Sequence, residues 1–228
     1  MKIEEKNFGK KRVVVYQSEN KNAPIIYSND YSECGETLIE KCKEMNIPDF
    51  NLVTISHLSW DQEMSPWPHE PVVAANDHFT GKADEYMELL KKEIIPYAES
   101  VIGSFNGKRI LSGYSMAGLF AAYAPFITDF FDAFICVSAS VWYPDFRDYF
   151  CEHDFKKKID AMYFSIGDKE TQVKNPALQV TDKVMQDISA ECIRRGTKST
   201  FEYNPGNHFK DGVLRVAMGV SWTLNQLP

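Results

Sequence analysis

Long apolar runs are missing from this 228-residue chain. No stretch approaches the ~18 consecutive apolar residues of a membrane-spanning helix. The opening Met1-Lys-Ile-Glu-Glu-Lys6 carries no apolar signal core, so a soluble, cytoplasmic protein is expected. Blocks of one charge sign are missing too, none exceeding three residues, as at Lys156-Lys157-Lys158. With a net charge of −7, no basic face is expected, which argues against nucleic-acid or anionic-membrane partners. Cysteine is scarce. Cys34, Cys42, Cys136, Cys151 and Cys192 are odd in number, scattered and without a Cys-x-x-Cys pair, as expected of free thiols in a reducing compartment. Cys136 lies inside an apolar strand and reads as core. No glycine-rich loop follows the first strand signal, which excludes the nucleotide-binding folds. His57, Asp61, His69, Asp77 and His78 lack the spacing of a zinc site, so no metal is expected.

What is present is an apolar fraction of 44%, enough for a substantial core, arranged as alternating strand and helix signals. Strands are expected over Arg12–Gln17, Ala23–Tyr27, Phe50–His57, Lys108–Ser112, Phe131–Ser138, Ala161–Ile166 and Ser199–Tyr203. Helices are expected over Glu33–Met45, Lys82–Phe105 with a bend at Pro96, Met116–Ile127, Ala177–Gly196 and Gly212–Leu227. Residues 60–80, rich in Trp, Pro, His and Asp, read as an irregular loop. This alternation predicts an α/β fold with a mostly parallel central sheet covered on both faces, and a site at the carboxyl ends of its strands.

The segment Lys108-Arg-Ile-Leu-Ser-Gly-Tyr-Ser115-Met-Ala-Gly118 joins a strand, a Gly-x-Ser-x-small turn and an Ala-rich helix. A serine at the tip of such a turn needs small neighbours two before and two after, here Gly113 and Ala117. Free N–H groups at the start of the helix can receive an oxyanion. The plainer alternative is a serine that caps the helix.

Hydrolases of this architecture order their triad as serine, acid, histidine. Two later strand ends fit. Tyr163-Phe-Ser-Ile-Gly167-Asp168-Lys-Glu170 presents two carboxylates, and Phe201-Glu-Tyr-Asn-Pro-Gly206-Asn-His208 presents a histidine. Ser115 and His208 are therefore the candidate nucleophile and base. Glu170 is the favoured acid and Asp168, a good turn residue, its rival. The candidate oxyanion donors are Met116 and, in the loop after the strand ending at His57, Leu58 or Ser59. His57, which precedes the serine, reads as a loop or orienting residue. Trp60, Trp67, Tyr114 and Trp142 are candidate pocket walls, the tryptophans with an equal alternative role as clamps on the core.

The run Gly113-Tyr-Ser115-Met-Ala-Gly-Leu-Phe-Ala, continued by Phe131-Asp-Ala-Phe-Ile-Cys-Val-Ser-Ala-Ser-Val-Trp142, resembles the putative esterase family, which contains esterase D and the enterochelin esterases. Trp60–Pro68, Phe79-Thr-Gly81, Glu93-Ile-Ile-Pro96-Tyr, Gly167-Asp-Lys-Glu170-Thr and Gly206-Asn-His208-Phe look like further motifs of its small bacterial members. The resemblance spans residues 12–225. It implies an α/β-hydrolase fold, no metal or organic cofactor, and cleavage of a small-molecule carboxyl ester through an acyl-serine, while the chain length points to one domain over residues 1–228 and the short inserts to no large cap domain. By position Ser115 takes the nucleophile's place, His208 the base's, and Glu170 or Asp168 the acid's. The chain departs from the family where Ala117 replaces the usual glycine, and some relatives work with a serine–histidine dyad. Acyl transfer with the same triad and a catalytically silent binding protein are the alternative functions. The resemblance leaves the ester and the oligomeric state open.

Overall fold

A computed structural model describes residues 2–20, 22–103 and 105–228. Position 104, inside the helix expected over 82–105, lies outside the described residues. The strands are β1 (Lys2–Phe8), β2 (Lys11–Gln17), β3 (Ile25–Asn29), β4 (Asn51–Ser56), β5 (Pro68–His69), β6 (Phe79–Thr80), β7 (Arg109–Tyr114), β8 (Ala133–Val137), β9 (Ala161–Gly167) and β10 (Lys198–Asn204). Eight of them form one sheet in the order β1-β2-β4-β3-β7-β8-β9-β10, while β5 and β6 make a small separate ribbon. From β4 to β10 every pairing is parallel; β1–β2 and β2–β4 are antiparallel. This mostly parallel sheet with helices on both faces and no large cap is the α/β-hydrolase fold.

The helices are α1 (Gly35–Glu44), α2 (Trp60–Glu63), α3 (Ala83–Leu89), α4 (Ile95–Ile102), α5 (Met116–Ile127), α6 (Phe146–Glu152), α7 (Pro176–Gln179), α8 (Thr181–Arg194) and α9 (Gly212–Gln226). Side chains alternate across each strand, so both sheet faces are apolar. Val13 and Val15 join a cluster with Tyr86, Leu119, Phe120 and Ile188, under α3, α5 and α8. Val14 and Tyr16 join the opposite cluster with Leu38, Cys42, Ala217 and Val220, under α1 and α9.

Four differences from the sequence reading have physical causes. Strand β1 carries Lys and Glu on an exposed edge, so it lacks the apolar signature of a strand. The seven-residue helix α6 was hidden by its shortness. The expected helix over Ala177–Gly196 is two helices, the first begun by Pro176 and capped by the Asn175 side chain. The bend expected at Pro96 is a π-helical turn over Leu90–Ile94, just before a residue that cannot donate to that turn.

Candidate active site

Strand β7 ends where Ser115 turns the chain into α5, at φ +60° and ψ −125°. A non-glycine residue stays in that sparsely populated region only when its surroundings hold it there. Close packing does so here. A Cβ on Gly113 would lie 2.1 Å from the Ala117 carbonyl oxygen, a backbone atom that cannot yield. The Ser115 side chain makes no capping bond to the helix, so the capping alternative does not describe it. Its Oγ lies instead 3.1 Å from His208 Nε2.

His208 follows β10, and its Nδ1 lies 2.7 Å from Glu170 Oε2. Glu170 follows β9 and is almost buried, with 8% of its side chain exposed. The second carboxylate oxygen, Oε1, accepts from Gly167 N–H at 2.6 Å, Ser138 Oγ at 2.7 Å and Arg215 Nη1 at 2.8 Å. Burial pushes this carboxyl up, but the hydrogen bond and charge of His208, joined by Ser138 and Gly167, outweigh it and hold it below its ordinary value. A Cβ on Gly167 would lie 2.3 Å from the Gly206 carbonyl oxygen and 2.9 Å from Glu170 Oε1, so the residue must be glycine.

Asp168, the rival acid, points elsewhere. Its Oδ1 accepts the Gly206 N–H at 2.7 Å and fastens the turn that carries His208. Tyr114, expected as a pocket wall, lines the cavity and donates its hydroxyl to the His208 carbonyl at 2.6 Å.

Arg215, which the sequence reading did not single out, ties these pieces together. It sits on α9 at 1% exposure and donates to Glu170, to the carbonyls of Pro205 and Asn207, and to Tyr114 Oη. The available signal was a lone arginine within the apolar stripe of the last helix, a charge seldom buried without a partner.

A cavity of about 600 Å³ opens beside Ser115. The loop after β3 lines it through Asp30, Tyr31 and Ser32, because β3 is the strand paired with β7. The loop expected for this place, with Leu58 and Ser59, follows β4, one strand farther away, and Ser59 N–H is bound to Glu63 Oε2 at 2.8 Å. Met116, as the first residue of α5, keeps its expected place with an N–H free of an intrahelical partner.

Trp60 lines the cavity and meets Tyr31 edge-on. Trp67 packs against Tyr123, Tyr143, Phe146 and Tyr149, and Trp142 against Phe79 and Tyr143, so both clamp the core, and neither lines the cavity beside Ser115. His57 is exposed and pairs with Glu33 at 2.8 Å. The carboxylates of Asp61 and Asp77 are spent on backbone N–H groups of residues 72–74 and 78, within the loop they belong to.

Residues 11–209 match the family model described as "Putative esterase". No curated protein matches the chain. Among solved structures, an IroE-like serine hydrolase from Shewanella oneidensis is 18% identical at a TM-score of 0.75, covering 94% of this chain and 76% of its own. The siderophore hydrolase EstB from Aspergillus nidulans is 16% identical at 0.77, covering 96% and 93%. The enterobactin and salmochelin hydrolase IroE is 15% identical at 0.67, covering 94% of each chain. At these identities the structures share the fold, whereas the family match extends over most of the sequence. The chain belongs to the putative esterase family and is a carboxylic-ester hydrolase.

Proposed function

We propose that the protein is a serine esterase that cleaves a small-molecule ester through an acyl-enzyme on Ser115. The observation that carries this reading is the unbroken chain from Ser115 Oγ through His208 to the ionised Glu170. His208 Nε2 takes the Ser115 proton as Oγ attacks the ester carbonyl, and Glu170 stabilises the imidazolium and fixes its tautomer. The developing oxyanion sits between the Met116 N–H and the N–H of Tyr31, in the loop after β3. His208 then protonates the leaving alcohol. A water molecule, deprotonated by His208, attacks the acyl carbonyl and returns Ser115 to its hydroxyl form.

A fluorophosphonate is expected to label the wild type and not Ser115→Ala, and p-nitrophenyl butyrate turnover to fall about 10³-fold or more in that variant. Equal labelling of the two proteins would overturn the reading. Siderophore esters, after which several structural neighbours are named, belong at the head of the substrate panel.

A further inference from the structure

The cavity beside Ser115 runs beneath α1 and α9, and its floor carries a row of hydroxyls. Ser28 on β3 stands in register with Thr54 on β4 and with Ser112 on β7. By strand alternation all three share the face of Ile26, Leu52 and Ile110, which pack in the α1–α9 cluster. Three hydroxyls thus cross three neighbouring strands three residues below the candidate nucleophile, about 5 Å apart at ordinary strand spacing. All three line the cavity, whose apolar walls include Leu38 and Val216. Ser112 is fully buried, and among the described residues its Oγ has no hydrogen-bond partner. A buried hydroxyl without a partner costs free energy unless something binds it.

Charge narrows the occupant. The described residues lining the cavity include no Lys or Arg, and Asp30 as their only carboxylate. Both Asp30 oxygens already accept N–H bonds, from Ser32 at 2.9 Å and Cys34 at 2.6 Å. Nothing there neutralises an anion, and the one carboxylate is held by N–H bonds within the loop that carries it. Position narrows it further. The exposed aromatic rings of Tyr31 and Phe209 line the outer part of the cavity, Phe209 edge-on to His208, the group that protonates the leaving alcohol. The hydroxyl row, by contrast, is buried, with Ser112 fully so.

We propose that this row is the acyl-recognition subsite, selecting acyl groups that carry an uncharged hydrogen-bonding oxygen. The inference rests on Ser115 being the nucleophile. A strand rises ~3.3 Å per residue, so three positions from Ser115 to Ser112 place that oxygen roughly five to seven bonds from the ester carbonyl. An acyl carbonyl or ether oxygen accepts from the Ser112 and Ser28 hydroxyls. A methyl-branched acyl chain of the same shape leaves them unpaired, and a site built for hydrogen bonding rejects such an analogue.

The test compares p-nitrophenyl 5-oxohexanoate and 7-oxooctanoate with their branched isosteres, the 5-methylhexanoate and 7-methyloctanoate. Wild type is expected to favour at least one keto ester about tenfold or more in kcat/KM. That ratio is expected to fall to about one in Ser28→Ala/Ser112→Ala. Thr54→Val, which keeps side-chain volume, provides a second check on the ratio should the double variant fold poorly. Equal or faster turnover of both branched esters by wild type would overturn the proposal, as would a keto preference that survives loss of the hydroxyls. Fluorophosphonate labelling of the same samples separates the two readings. Labelled Ser115 with no keto preference defeats only the subsite, whereas unlabelled Ser115 defeats the serine-esterase reading beneath it.

Discussion

Replacing Glu170 by glutamine poses a hydrogen-bonding problem that the fold cannot solve. In the wild type Oε1 faces three donors, from Gly167, Ser138 and Arg215, and Oε2 faces His208 Nδ1. A glutamine amide has one oxygen and one NH2 group. If its oxygen faces the three donors, its NH2 meets His208 Nδ1. The imidazole must then accept there and carry its proton on Nε2, towards Ser115, where it cannot serve as base. If the oxygen faces His208, the NH2 opposes three donors, including the buried guanidinium. The first orientation conflicts less, so the wrong tautomer is the expected outcome. Loss of kcat by about 10³–10⁴-fold, with KM changed far less, follows from it. Asp168→Asn keeps an oxygen for the Gly206 N–H, so a loss of less than about tenfold is expected. Steady-state kinetics on p-nitrophenyl butyrate compares the two variants. A loss below about tenfold for Glu170→Gln, or a larger loss for Asp168→Asn, would refute the reasoning.

The same carboxylate predicts a pH dependence of stability. Because its folded value is lowered, it stabilises the protein above the unfolded-state value of about 4.3, and that contribution vanishes as pH falls through the folded value. The Tm gap between wild type and Glu170→Gln should be wide at about pH 7 and narrow towards about pH 3; a constant gap would contradict this. Arg215→Met strips a buried partner from Glu170 and from the carbonyls of Pro205 and Asn207, at a cost of about 3–5 kcal/mol. Thermal melts should show a fall of roughly 10 °C, partly recovered in Arg215→Lys, and a fall below about 3 °C for the methionine variant would count against it. Cys34 lines the cavity, but burial and the neighbouring Asp30 carboxylate push its thiol up to about 12. Peptide mapping after treatment of the folded protein with iodoacetamide near neutral pH should find Cys34 unmodified, and rapid alkylation would reverse that expectation.

The alternation of apolar runs with helical spacings was enough, by itself, to specify an α/β sheet. The small residues around Ser115 were enough to specify a tight strand-to-helix turn there, and the strand-end positions of Glu170 and His208 placed both at the same edge of the sheet. These features are local, because each depends on which side chains a few consecutive residues carry. Strand order is not local. The charged edge strand β1 gives no apolar signal, and β4 is inserted between β2 and β3. Only the assembled sheet therefore shows that the loop on the strand next to that of Ser115 follows Asn29, while the segment after His57 reaches the cavity through Trp60. Which of Glu170 and Asp168 faces His208 depended on the direction of two carboxylates two residues apart, which is fixed by donors at the ends of β8 and β9 and on α9. Arg215 and the hydroxyl row were invisible for the same reason: a buried charge or a polar floor is defined by what the rest of the chain packs around it.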